Sequence, residues 1–157
     1  MELKRLRLEN FRQHADTEIV FGDGITGIIG PNGSGKTSLL EAIAWAIYGV
    51  QAVRGDKDSI RRHGAPGRSR VEVTLDFALG PHEYSVTRNL YGAELHQDGH
   101  VVANSLKSVS ERLGRVTEML RTNIAASEIP GAVLLIARHG KIAYFESLGL
   151  LDLLWRR

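Results

Sequence analysis

Residues 30–37 read Gly-Pro-Asn-Gly-Ser-Gly-Lys-Thr, which satisfies the pattern G-x-x-x-x-G-K-[ST]. Glycines in such a loop allow backbone angles that a side chain would forbid, so successive N–H groups can converge on phosphate oxygens. Lys36 is expected to reach the β- and γ-phosphates, and the Thr37 hydroxyl to ligate Mg²⁺. The stretch therefore predicts a site for the phosphates of a nucleoside triphosphate, with MgATP as the expected ligand.

The residues on both sides of the loop fit this interpretation. Ile25–Ile29 is a short, apolar, β-branched run, which is typical of a buried strand. Apolar residues then recur at spacings of three and four from Leu39 to Ile47, which predicts a helix that ends at Gly49. The positive end of that helix would lie at the phosphates. A chance match in a glycine-rich turn would not require a strand before the loop and a helix after it.

Patterns elsewhere in the chain predict further strands and one more long helix. Alternating residues predict strands over 2–8, 17–21 and 71–77, a return strand around 84–90, and a small hairpin around 97–99. Residues 50–68 are polar and predict a loop. Ser105 or Ser108 is expected to cap a helix that runs through Leu120, with Glu111 three residues after Ser108. Two β-rich runs, 132–137 and 141–147, flank His139-Gly140 and predict a hairpin, followed by a ragged end over 150–157.

Composition sets limits on the class of protein. The chain has 157 residues, of which 43% are hydrophobic, and this suits one domain with a buried core. It has no cysteine, so disulfides and thiolate metal sites are excluded, and a reducing cytoplasm is the expected location. No signal peptide and no membrane-spanning stretch is expected from the apolar runs. The net charge of +2 argues only weakly for nucleic acid, and the local bases could form a solvated loop.

Three local features make the first 121 residues resemble the N-terminal segment of the SbcC-type, SMC-related ATPases of DNA double-strand-break repair. The opening strand is followed by Leu8-Glu9-Asn10-Phe11-Arg12, which is similar to that family's L-x-N-F-R signature. Residues 24–43 are very similar to the family's phosphate-loop region. Residues 58–64, followed by Val71-Glu72-Val73, resemble its next loop and strand. Phosphate loops are common, but this loop together with Asn10-Phe11-Arg12 is much more specific.

The resemblance implies an α/β fold: the N-terminal lobe of an ABC-type ATPase head, with a mixed sheet and a phosphate-loop helix. It places Asn10, Phe11, Arg12 and His14 near the nucleotide, with Arg12 touching a phosphate or the ribose; an ordinary exposed arginine is the alternative. It also implies a set of nucleotide-binding residues: Arg12, Asn32, Gly33, Ser34, Gly35, Lys36, Thr37 and Ser38. Within this set Thr37 would bind the metal. A structural role is the alternative for Ser38. Duplex DNA, a nuclease partner and a second head are the implied partners, with Arg61, Arg62, Arg68 and Arg70 as candidates for DNA contact.

Other parts of the family pattern are missing from these 157 residues. Hydrolysis in the family needs a strand ending in Asp-Glu and a signature loop from a second head, both supplied by a C-terminal lobe beyond a long coiled coil. No apolar strand ending in Asp-Glu follows residue 40, and no sustained heptads occur. We therefore expect the chain to bind ATP but to hydrolyse it inefficiently. No catalytic residue is assigned. The alternative is a non-enzymatic recombinant or truncated fragment whose loop is vestigial.

Residues after about 121 resemble a different family. Glu128 to Gly149 is similar to the N-terminal hairpin of the serine β-lactamase-like esterases, which carries no catalytic residue. This suggests two regions, 1–121 and 122–157, joined in a natural or artificial fusion, with chance convergence on a generic β pattern as the alternative. The nucleophile motif S-x-x-K is absent from the sequence, which argues against an esterase-like hydrolase.

Overall fold

The computed structural model describes residues 1–23, 26–125, 131–138 and 141–149, with side chains described as far as Arg115. Along the chain these residues fall into two units, 1–110 and 111–157. The described residues form eight strands and three α-helices. The phosphate loop and every predicted site residue belong to the first unit.

Six strands form the sheet of the first unit. They are β1 (Glu2–Phe11), β2 (His14–Val20), β3 (Glu72–Leu79), β4 (His82–Asn89), β5 (Ala93–Gln97) and β6 (His100–Ala103). The strand order is β2-β1-β3-β4-β5-β6, and every described neighbouring pair is antiparallel. The predicted α/β class is confirmed, although the described sheet is antiparallel where a mixed sheet was expected.

Alternation along the strands explains which face of the sheet is buried. In β3, Val73, Leu75 and Phe77 are buried, whereas the residues between them are half-buried on the other face. In β1 the alternation breaks at Asn10, whose φ of 48° lies in the left-handed region. Because of that break Leu8 and Phe11, three residues apart, are both fully buried.

Helix α1 (Lys36–Tyr48) covers the buried face of the sheet. Its Trp45 is 1% exposed and lies with its ring centroid 5.4 Å from that of Phe11 at the end of β1. The predicted helix and its end at Gly49 are confirmed, and the Gly49 N–H caps the helix by donating to the Trp45 carbonyl at 2.9 Å. This packing fixes the residue that begins α1, Lys36, relative to the turn between β1 and β2.

The predicted buried strand before the phosphate loop is wrong for its described part. Residues 26–30 form no strand, and Ile29 is 97% exposed; Ile25 lies outside the described residues. A strand needs a partner for its backbone N–H and C=O groups, and no described strand pairs with this segment. The sequence pattern identified an apolar β-branched run. It could not show whether another strand lies beside that run to pair with it.

The predicted loop over 50–68 contains two short helical turns. Residues Val50–Ala52 form a 3₁₀ turn, and Lys57–Ile60 form α2, whose first turn is capped by Asp56 through the Ser59 N–H at 2.9 Å. The loop is therefore only partly irregular, and Ile60 within it is fully buried.

Helix α3 (Leu106–Ala125) is longer than predicted and begins after Ser105. Ser105 Oγ accepts from the Ser108 N–H at 3.1 Å, while Ser108 Oγ accepts from the Ser105 N–H at 3.2 Å. This reciprocal cap selects Ser105 from the two predicted alternatives. The capping box of Ser108 with Glu111 is wrong, because both residues lie inside the helix.

In the second unit, β7 (Gly131–Arg138) pairs antiparallel with β8 (Lys141–Gly149). The predicted tail hairpin is confirmed. Its turn, His139-Gly140, and the predicted ragged end over 150–157 lie outside the described residues.

Candidate functional site

The phosphate loop runs directly into α1 and has the backbone that its glycines allow. Gly33 and Gly35 have φ of 84° and 92°, values that favour glycine strongly. A Cβ on Gly30 would lie 2.9 Å from Ser34 Oγ, and one on Gly35 would lie 2.6 Å from His14 Nε2. Gly35 supplies no capping side chain, so the first N–H groups of α1 are not satisfied by a side chain. This cradle fits a phosphate group at the helix N-terminus.

Lys36 and Thr37 occupy the first turn of α1. The ammonium of Lys36 donates to the carbonyls of Gly30 at 2.7 Å and Pro31 at 2.8 Å, so it lies across the loop. Thr37 is exposed on the same turn. A lysine ammonium and an exposed hydroxyl at this position are the groups that would hold the terminal phosphates and a hydrated Mg²⁺.

The other predicted loop residues divide into exposed and buried ones. Asn32, Gly33 and Ser34 are exposed along the loop, whereas Ser38 is buried at 6% exposure. Ser38 Oγ donates to the Gln13 side-chain carbonyl at 3.2 Å. This contact suits the structural alternative for Ser38, because its hydroxyl already joins α1 to the β1–β2 turn.

His14 contacts the phosphate loop at Gly35. One ring nitrogen, Nε2, lies 3.2 Å from the Gly35 carbonyl, and the other, Nδ1, lies 3.1 Å from Thr17 Oγ1. The turn between β1 and β2 is thereby joined to the end of the phosphate loop. The expectation that His14 lies near the nucleotide agrees with this position beside Gly35.

Arg12 is tied to three acceptors. Its Nε donates to Glu41 at 3.1 Å, and its two terminal nitrogens donate to the carbonyls of Ser59 and Arg54, each at 2.5 Å. Glu41, on α1 and 5% exposed, also pairs with Arg54. Direct contact between Arg12 and a nucleotide stays a prediction, because in this structure its donors hold α1 and the α2 region together.

Asn10 and Phe11 have roles in the fold. Asn10 Nδ2 donates to the Arg70 carbonyl at 2.9 Å, and Phe11 is fully buried against Trp45. The Asn10 carbonyl also accepts from the Arg62 N–H at 2.8 Å. These contacts anchor the 61–70 segment beside the end of β1.

Three of the four candidate DNA-contacting arginines lie together. Arg61, Arg68 and Arg70 line one cavity of about 420 Å³, together with Tyr91, which is 81% exposed. Arg61 donates to the Ser69 carbonyl and Arg70 pairs with Glu72, whereas Arg68 is exposed. Arg62 does not line this cavity, and its Nε is buried without a hydrogen-bond partner in the described chain.

Sequence reasoning missed two residues that shape the site. Gln13 meets Ser38, and Glu41 joins Arg12 to Arg54. The helical spacing placed Glu41 off the predicted apolar face of α1, so its burial, which requires a cation or donors, is seen only in the structure. Gln13 likewise carried no signal in the sequence.

Comparison with known proteins places this chain in a family. The profile of the family described as "AAA domain" matches residues 5–128. A DNA double-strand break repair Rad50 ATPase from Thermoplasma volcanium is 34% identical over 118 residues, which cover 70% of this chain and 13% of the relative. A protein of the same description from Methanocaldococcus jannaschii is 31% identical over 152 residues, covering 94% of this chain and 14% of the relative. The chain therefore spans about one seventh of the length of these curated relatives.

A more distant likeness occurs among solved structures. The recombination mediator protein RecF, solved with ATP in the RecFOR pathway, matches 65% of this chain and 28% of its own at 18% identity, with a TM-score of 0.47. None of the helices in the described residues combines the length and the apolar character of a membrane span.

Proposed function

This chain belongs to the AAA-domain family, and we propose from that membership that it is the ATP-binding N-terminal lobe of a DNA double-strand-break repair ATPase. The resemblance of its first 121 residues to the N-terminal segment of the SbcC-type, SMC-related ATPases is confirmed by these relatives. The observation that carries the proposal is the loop 30–37, which has glycines at left-handed angles and Lys36 across its mouth, and which opens α1.

The proposed ligand is MgATP. When bound, the triphosphate supplies oxygens whose negative charge Mg²⁺ and Lys36 would neutralise. The backbone N–H groups of residues 33–37 would bind phosphate oxygens, Lys36 would exchange its two carbonyl acceptors for phosphate, and the Thr37 hydroxyl would take one position of the hydrated cation. Asn32 and Ser34 would enclose the phosphates from the exposed side of the loop.

We propose slow turnover for these 157 residues. Phosphoryl transfer to water needs a positioned nucleophile and charge stabilisation beyond a phosphate cradle. The sequence offers no apolar strand ending in Asp-Glu after residue 40. A nuclease partner, a second head and a cytoplasmic location belong to the same proposal, and a separate origin for residues 122–157 stays a prediction.

Calorimetry with MgATP on the purified chain tests the proposal. Lys36→Ala is expected to abolish measurable binding, since the ammonium is the cation nearest the terminal phosphates in the proposed complex. Lys4→Ala, at an exposed lysine paired with Glu2, is the matched control and should bind as the unchanged chain does. Equal affinity in the Lys36 variant would refute the assignment, and phosphate release at the rate of an intact ATPase would refute slow turnover.

The second candidate is a non-enzymatic fragment with a vestigial loop. The exposed segment before the loop favours it, because Ile29 at 97% exposure does not anchor the loop in the sheet. This candidate predicts cooperative unfolding of the chain together with no heat of MgATP binding. The same titration therefore separates the two candidates.

A further inference from the structure

A cavity lies at the opposite end of α1 from the phosphate loop. It measures about 290 Å³ and is formed by the last turn of α1, the 3₁₀ turn that follows, the end of β4 and the start of α3. At 1.5 Å of rise per residue, the 13 residues of α1 put roughly 18 Å between its two ends. All the lining residues lie in the first unit, and none belongs to the phosphate loop.

Arg88 is the buried cation of this cavity. It is 3% exposed, and its Nε donates to the Ala46 carbonyl at 3.0 Å. Its Nη2 is buried and has no hydrogen-bond partner within the described part of the chain. Gly49 leaves room for the guanidinium, since a Cβ there would lie 3.2 Å from Nη1. Burial lowers the pKa of Arg88, in keeping with an uncompensated cation.

A second residue that lines the same cavity carries a buried donor. Trp45 is 1% exposed, and its indole Nε1 also lacks a hydrogen-bond partner among the described residues. Buried donors are nearly always satisfied in folded proteins, so two unsatisfied donors on residues that line one cavity indicate a missing acceptor. Lys57, exposed on α2, adds a second cation, and no carboxylate lines the cavity among the described residues.

We propose that this cavity binds a small organic acid with an apolar body. Its carboxylate would meet the Arg88 guanidinium, whose planar donors match two carboxylate oxygens. Its body would lie against Tyr48 and Leu90. A hydrated inorganic anion fits less well, because aromatic and aliphatic side chains make up much of the wall and offer it no donors. The carboxylate of the ligand would neutralise the buried charge of Arg88, which the protein alone leaves uncompensated.

Trp45 provides the signal for the test. The chain has two tryptophans, so a Trp155→Phe background leaves Trp45 as the only one. In that full-length background, 3-phenylpropionate is titrated by fluorescence and calorimetry beside its neutral amide, 3-phenylpropanamide. The acid is expected to bind saturably and the amide about tenfold or more weakly, since only the acid pairs with a cation. MgATP, added at saturation, should leave the affinity for the acid unchanged because the two sites are at opposite ends of α1.

Two variants make the assignment specific. Arg88→Met keeps the volume and removes the charge, and it should abolish the preference for acid over amide. Lys57→Gln, at an exposed position that does not endanger folding, should weaken the acid about two- to fivefold by removing the outer cation. Lys4→Gln is the matched control and should have no effect. Equal binding of acid and amide, no binding of the acid, or an unchanged preference after Arg88→Met or Lys57→Gln would each overturn the proposal.

Discussion

The guanidinium of Arg12 donates to three acceptors at once, and these partners explain how a residue outside the phosphate loop can affect the loop. Glu41 lies on the helix that the loop opens, while the carbonyls of Arg54 and Ser59 belong to the segment around α2. Arg12 itself has φ of 54°, a left-handed angle that is uncommon for arginine. Its side-chain contacts compensate for that backbone cost, so the network holds the β1–β2 turn against α1.

Loss of the Glu41 charge should destabilise the chain. Glu41→Gln leaves two guanidinium groups facing a neutral amide in a largely buried position, and we expect a cost of about 2 kcal/mol in the free energy of unfolding. Urea denaturation measures it. Glu2→Gln, at an exposed carboxylate paired with Lys4, is the matched control and should change stability by about 0.5 kcal/mol or less. Similar losses of unfolding free energy in the two variants would show that the ion pairs of Glu41 do not stabilise the fold more than an exposed pair does.

The Thr37 hydroxyl should matter only when Mg²⁺ is present. Thr37→Ala is expected to weaken MgATP binding about tenfold, since it deletes one oxygen ligand of the cation. Binding of ATP in the presence of a chelator should be unchanged. Thr37→Ser retains the hydroxyl and should behave like the unchanged chain. Calorimetry with and without Mg²⁺ separates these cases, and an equal loss under both conditions would place Thr37 outside the metal site.

At the scale of elements, the turn between β5 and β6 is built on Asp98 and Gly99. Both have positive φ, 51° and 80°, as an Asp-Gly hairpin turn requires. The Asp98 carboxylate accepts from the Glu83 N–H at 2.9 Å and lies 2.7 Å from His82 Nδ1. These hydrogen bonds, the backbone one first, lower the pKa of Asp98 below its ordinary 3.8.

The lowered pKa of Asp98 gives a pH dependence of known sign. Its folded-state pKa lies below the unfolded value of 3.8, so its contribution to stability is fully present well above pH 3.8 and is lost as pH falls through the folded pKa. Asp98→Asn keeps an acceptor and tolerates the same backbone angle, but it does not titrate. The difference in unfolding free energy between the two proteins should therefore shrink between pH 5 and pH 2.5. A constant difference over that range would show that the charge is not involved.

Local pattern predicted those elements whose cause is local. The alternation from Val71 to Phe77 and the three-four spacing through α1 predict a strand and a helix that both form. The buried face of α1 differs from the predicted one, because Leu40 is 59% exposed whereas Glu41 and Trp45 are buried. The segment 26–29 has an equally clear pattern and forms no strand, because pairing depends on a distant neighbour. The same limit applies to the site. Residues 30–37 could be identified as a run, whereas Arg12 meets Glu41 across 29 residues and Arg88 meets Ala46 across 42.

At the scale of the whole molecule, a net charge of +2 is too small to direct the chain to nucleic acid, so any DNA binding must come from local density of charge. Arg61, Arg68 and Arg70 supply it, since they line one cavity on the first unit. We propose duplex DNA as the partner of this surface. Binding through three phosphate contacts would have a modest affinity and a defined dependence on salt.

The salt dependence of DNA binding tests that surface quantitatively. Release of counterions from three phosphates predicts a slope of about −3 for log K against log salt concentration. Replacing Arg68 and Arg70 together by glutamine should reduce the slope to about −1, because two of the three contacts are lost. The paired control, Arg112→Gln with Arg115→Gln, removes the same charge from exposed positions on α3 and should leave the slope near −3. Fluorescence anisotropy with a labelled duplex between 50 and 200 mM salt gives both slopes, and equal slopes in the two double variants would mean that net charge, and not this cluster, attracts the DNA.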